Sequence, residues 1–138
     1  MKSAKYFISI IFSLLLLSCD ETGTNSGNTV VGSPQDTQIS NLSFSVDTTY
    51  LDVSANRLVA KGSVKNNGNA QVNSPWYVEG QFYTDATYST KIGGNTTKIG
   101  VPLSKGQSTL WTLYYSSSSI NVNSYPDFGI GDLRGIYK

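Results

Sequence analysis

Few residues of this chain are of a type that carries out chemistry. It has 138 residues, with no His and a single Cys. Without an imidazole there is no Ser-His-Asp triad, no His metal ligand and no base that titrates near neutrality. One thiol makes neither an internal disulfide nor a Cys-based zinc site. No Ser sits in a Gly-x-Ser-x-Gly elbow or has a Lys three residues on. Glu79 is the one Glu beyond Glu21, and it is expected on an outward strand face as a solvated charge rather than as half of a glycosidase pair. Asp47, Asp52, Asp85, Asp127 and Asp132 are scattered and form no calcium loop. The expectation is a non-catalytic protein with no cofactor and no metal. Its nine Tyr are the exception to this chemical plainness. Tyr77, Tyr83 and Tyr114 fall at outward positions of two expected strands and could share one surface on which sugar rings stack. Against that stands the simpler role of Tyr as a strand former packed flat on a sheet.

The amino-terminal residues read as an address. Lys2 and Lys5 precede Tyr6 to Leu17, an apolar stretch interrupted by Ser9 and Ser13. That stretch is shorter than the ~20 residues a spanning helix needs and fits the apolar region of a signal peptide. Leu16-Leu17-Ser18-Cys19 resembles the bacterial lipobox. The resemblance implies diacylglycerol on the Cys19 thiol and cleavage between Ser18 and Cys19. Residues 1–18 are then a lipoprotein signal peptide, and the chain is a lipid-anchored, extracytoplasmic protein of a bacterial envelope. Asp20 and Glu21 come next: an acidic residue there marks inner-membrane retention in some bacterial groups and resembles a surface-export signal in others, and of these the outer membrane or cell surface is preferred over the inner membrane. Removal of Lys2 and Lys5 leaves eight basic and nine acidic side chains, a net charge of −1. This gives no field for a nucleic acid.

Residues 19–38 are Thr-, Asn-, Gly- and Ser-rich and read as a flexible linker. Residues 39–138 read as one domain made of strands. Leu42, Phe44 and Val46 alternate, with a break at Asp47-Thr48. Leu58, Ala60, Gly62 and Val64 alternate with Val59, Lys61, Ser63 and Lys65. Asn66-Asn67-Gly68-Asn69 signals a turn. Trp76, Val78, Gly80 and Phe82 form an inward set, opposed by Tyr77, Glu79, Gln81 and Tyr83. Ile92 and Ile99 flank Gly93-Gly94-Asn95, read as two short strands about a tight turn. Trp111 and Leu113 face inward on a long strand, and a polar loop runs from Ser116 to Ser124. The closing strand from Phe128 shifts parity between Ile130 and Leu133, which calls for a bulge at Gly131. Six to eight strands in this length imply an all-β, antiparallel β-sandwich with Trp76 and Trp111 at its centre.

Val64-Lys65-Asn66-Asn67-Gly68, then Val78 to Asp85, then Val101 to Ser108 before a Trp/Tyr strand, together resemble the FxLYD-type immunoglobulin-like domain over residues 58–138. Gly80 and Phe82 stand where that family has Phe and Leu, Tyr83 matches its Tyr, and Asp85 comes one residue late. The resemblance implies a binding or spacer module with no catalytic residues. The expected function is a membrane-anchored interaction or structural module with an envelope protein partner. The alternative is a carbohydrate-binding module using surface Tyr. Asp47-Thr48-Thr49 also resembles a short O-glycosylation acceptor.

Overall fold

The structure, a computed structural model, describes residues 36–138. The expected signal peptide, the cleavage point at Ser18–Cys19, the lipidation of Cys19 and most of the linker lie outside the described residues. Strand pairing begins inside the last residues assigned to the linker, at β1 (Thr37–Ile39). Six longer strands follow: β2 (Leu42–Asp52), β3 (Arg57–Asn66), β4 (Trp76–Tyr83), β5 (Lys91–Ile99), β6 (Ser108–Tyr115) and β7 (Gly129–Tyr137). They form two antiparallel sheets, β1-β7-β4-β5 and β2-β3-β6, packed as an immunoglobulin-like sandwich. None of the helices among the described residues is long and apolar enough to cross a membrane.

The core follows from alternation. Leu58, Ala60 and Val64 of β3, Trp76, Val78 and Phe82 of β4, and Trp111 and Leu113 of β6 are buried between the sheets. Both indoles are also satisfied: Trp76 Nε1 donates to Val101 O at 3.0 Å and Trp111 Nε1 to Ser63 O at 2.9 Å. Gly62 is where β3 passes under the Trp111 ring. A Cβ there would lie 1.9 Å from Ser45 O and 2.5 Å from the indole. The turn after β3 is tied to the turn before β6 by Asn66, which is buried. Its Nδ2 donates to Ala70 O (2.8 Å) and Leu103 O (2.9 Å), and its Oδ1 accepts from Gly68 N (2.8 Å).

Four local expectations change. β2 runs through Asp47-Thr48 as one strand, and the irregularity is a register shift between Val46 and Thr48. That shift leaves Val46 exposed instead of inward with Phe44. Gly93-Gly94-Asn95 is not a turn but the middle of β5. A Cβ on Gly93 would sit 2.3 Å from the Tyr115 ring, so this Gly permits close approach of β5 to that ring. The polar loop after β6 contains a short 3-10 turn, Val122–Ser124, whose Val122 is buried in the end of the core. The β7 irregularity falls opposite Gly80, between the pairs Gln81↔Gly131 and Glu79↔Arg134, so Asp132 and Leu133 together face one residue of β4 and β7 carries one extra residue there.

Candidate functional site

β4 lies inside its sheet, with β7 on one side and β5 on the other, so its outward side chains have neighbours on both flanks. This overturns the expectation for Glu79. It is 2% exposed, and its neighbours Gln81 and Tyr83 are buried as well. Arg134, directly across on β7, covers it. A carboxylate this deep is tolerated only with a partner, because losing its hydration is costly. Arg134 supplies one: its Nε and Nη2 lie 2.8 and 2.7 Å from the same Glu79 oxygen, Oε1. The other oxygen, Oε2, is buried and has no hydrogen-bond partner.

The bulge in β7 builds the neighbouring part of the site. Asp132 adopts a left-handed backbone (φ 50°), a conformation Asp tolerates better than most residues. Its carboxylate points along the outer face, where Oδ2 accepts from Tyr83 Oη at 2.5 Å and pairs with Lys91 Nζ at 2.8 Å. Lys91, paired with Tyr83 across β5, also lies 5.8 Å from the Tyr83 ring centre. The hydrogen bond from Lys91, then that from Tyr83, holds the Asp132 carboxyl below its ordinary value. The bond to Asp132 raises Lys91, while burial and then the same carboxylate raise the Tyr83 phenol.

A loop closes the far end. Asp85 accepts from the backbone N of Thr87 (2.8 Å) and from the hydroxyls of Thr84 (3.0 Å) and Ser89 (2.5 Å), and also takes the Thr87 hydroxyl. These bonds hold its carboxyl far below the ordinary range. The loop they shape sets Tyr88 edge-on to Tyr83, with ring centres 5.2 Å apart at 81°. Glu79, Gln81, Lys91, Asp132 and Arg134 thus line an open cavity of about 210 Å³. A larger concavity of about 350 Å³ lies between Ile39–Asn41 and the 66–72 turn. The buried Asn66 at its wall spends its side-chain amide on the fold. The smaller cavity is lined by Glu79, whose Oε2 is buried and has no hydrogen-bond partner.

The three Tyr singled out from sequence do not share a surface. Tyr77 and Tyr83 are on the outer face of the four-stranded sheet, but Tyr114 is on β6, in the other sheet. Tyr83 is 6% exposed and sealed by Tyr88. Tyr77 is half-buried, and Lys138 Nζ lies 5.1 Å from its ring centre. Tyr114 is exposed beside Val59 of β3, whose other neighbour is Tyr50 of β2. Arg57 and Lys61 lie 5.1 and 5.3 Å from the Tyr114 and Tyr50 rings.

Gln81, Lys91, Asp132 and Arg134 were not legible as a site. Their proximity depends on β4–β7 and β4–β5 register. The one signal that pointed toward them was the parity shift at residues 130–133. Among the described residues no group of three or more His, Cys, Asp or Glu could hold a metal ion. Comparison with protein-family models, curated proteins and solved structures brought no match.

Proposed function

We propose that this chain is a lipid-anchored bacterial envelope protein whose β-sandwich binds a partner without transforming it, using the outer face of the four-stranded sheet. The lipobox-like Leu16-Leu17-Ser18-Cys19 supports the anchor, with lipid on Cys19 and residues 20–35 as the greater part of the tether. The resemblance to FxLYD-type domains supports a binding or spacer role.

One observation carries the choice of face: the buried Glu79 carboxylate leaves Oε2 without a partner beside an open cavity. An unmet buried acceptor costs about 1–3 kcal/mol, more when charged. Oε2 is itself shut off from solvent, so a ligand that displaces the side chains over it and donates a hydrogen bond there recovers that cost on binding. The site's ionised groups favour binding over proton transfer. Asp132, already held below its ordinary value by Lys91 and Tyr83, is a poor general acid near neutral pH.

The test is face-resolved cross-linking. A photoreactive residue replaces Thr96, which pairs with Glu79 across β5, or Thr112, on the outer side of the three-stranded sheet. The expected result is an envelope component captured from position 96 and not from position 112 in cells. Capture from 112 alone, or from neither, overturns the assignment of this face.

A further inference from the structure

We propose that the cavity over Glu79 binds one ring of a neutral sugar, presented as a unit of a glycan. This rests on the reading of that face as the recognition surface and specifies the chemistry of what it takes.

The lining selects for hydroxyl groups. Its charged members are Glu79, Asp132, Lys91 and Arg134, so the formal charges cancel. A free metal cation entering the cavity meets an ammonium and a guanidinium. A free phosphate meets two carboxylates. Neither ion finds a net attraction, whereas a neutral ligand is not repelled. Hydrogen bonding then decides. The Asp132 carboxylate, and Glu79 Oε2 once the side chains over it are displaced, can only accept. The Gln81 amide both donates and accepts, and makes no side-chain hydrogen bond among the described residues. Arg134 and Lys91 have N–H donors beyond those used on Glu79 and Asp132. Acceptors and donors therefore alternate around one small space. A sugar hydroxyl matches this because it gives one hydrogen bond and accepts others at the same atom. Vicinal hydroxyls repeat the match at the next position.

Size points to a single ring. Pockets for drug-sized ligands run to ~300–1,000 Å³, and this cavity is about 210 Å³ and open on one side. The open side lets the rest of an oligosaccharide continue across the sheet. Tyr83 acts as a positioning residue, since its hydroxyl fixes Asp132 while its ring is sealed beneath Tyr88. The sugar contacts thus come from polar side chains and not from the stacking Tyr platform expected from sequence.

The experiment is calorimetric titration of the full chain with a panel of neutral gluco-, galacto-, manno- and N-acetylglucosamine oligosaccharides, with inorganic phosphate and a primary amine as controls. At least one neutral oligosaccharide is expected to bind, with an affinity that changes little on raising salt. Glu79→Gln and Gln81→Ala are each expected to weaken it by about tenfold or more. The Gln81 side chain makes no hydrogen bond among the described residues, so Gln81→Ala keeps the test decisive if Glu79→Gln melts early. Failure of the whole panel overturns the proposal, as does binding that Gln81→Ala leaves unchanged or binding of phosphate or amine alone. Cross-links from position 96 in the absence of sugar binding overturn the sugar and leave the recognition face standing. Loss of both removes the face as well.

Discussion

Tyr83 and Asp132 are joined across the β7 bulge: the phenol donates to the carboxylate at 2.5 Å, and the Asp holds a left-handed backbone while accepting it. Asp132 also holds Lys91, so one exposed bulge residue organises a buried phenol on β4 and a cation on β5.

That cluster sets a pH window. The Asp132 and Asp85 carboxyls are lowered from 3.8, so their contribution is full above that value and is lost as pH falls through their depressed folded values. The Tyr83 phenol and Lys91 are raised from 10.0 and 10.5, so their contribution is full below pH 10 and is lost as pH rises through the elevated values. Melting temperature plotted against pH is expected to be level between these limits and to fall on both sides. Asp132→Asn is expected to remove the Lys91 share of the alkaline limb, to shrink but not abolish the Tyr83 share, which burial sustains, and to leave the Asp85 share of the acid limb. A uniform downward shift of the whole curve contradicts the account. Lys91 and Asp132 are more than half exposed, so high salt is expected to reduce the effect.

Removing one partner of the Glu79–Arg134 pair separates burial from pairing. Arg134→Met leaves a buried, unpaired carboxylate and is expected to cost about 2–3 kcal/mol, somewhat under the usual cost of breaking a buried pair because the Arg134 side chain is a third exposed. Glu79→Gln keeps the shape without the charge and is expected to cost about 1 kcal/mol. Replacing both by Met is expected to be less damaging than Arg134→Met alone. Denaturant midpoints of the three variants measure this order, and equal losses in all three rule it out.

Asn66 allows a test that leaves its volume unchanged. Asn66→Asp replaces an amide that donates to Ala70 O and Leu103 O with a group that only accepts, setting a carboxylate against two carbonyls. A loss of about 3 kcal/mol or more is expected, against about 2 kcal/mol for Asn66→Ala. Urea unfolding ranks the pair, and an Asp variant as stable as the Ala variant contradicts the stated role of the donors.

For the anchor, the full chain expressed in a bacterium with an envelope is expected to enter the detergent phase on partitioning. Cys19→Ala is expected to remain in the aqueous phase. Identical partitioning of the two proteins would falsify lipidation at Cys19.

Strand placement was readable because β3, β4 and β6 alternate cleanly over eight or more residues, and inward Trp76 and Trp111 follow from that alternation. What escaped was everything set by pairing. Alternation says that Glu79 points away from Trp76, but not that Arg134 stands opposite and shuts out water. Nor does it say which strands share a sheet, and so Tyr114 was placed with Tyr77 although β6 belongs with β2 and β3. Gly93-Gly94 read as a turn because Gly tolerates unusual dihedrals, whereas β5 uses the missing Cβ of Gly93 to pass Tyr115. The parity shift near Gly131 was legible, but its consequence depended on register: Asp132 is brought onto the same face as Glu79.

The pairing of β1 with β7 is short: Thr37, Gln38 and Ile39 meet Tyr137, Ile136 and Gly135. Among the described residues the rest of that side of β7, from Gly129 to Arg134, has no strand beside it. The bulge at Asp132 and Leu133 lies on this open stretch and interrupts the flat edge that another chain would need for pairing, so the feature that shapes the Glu79 face also guards the sheet against edge-to-edge association.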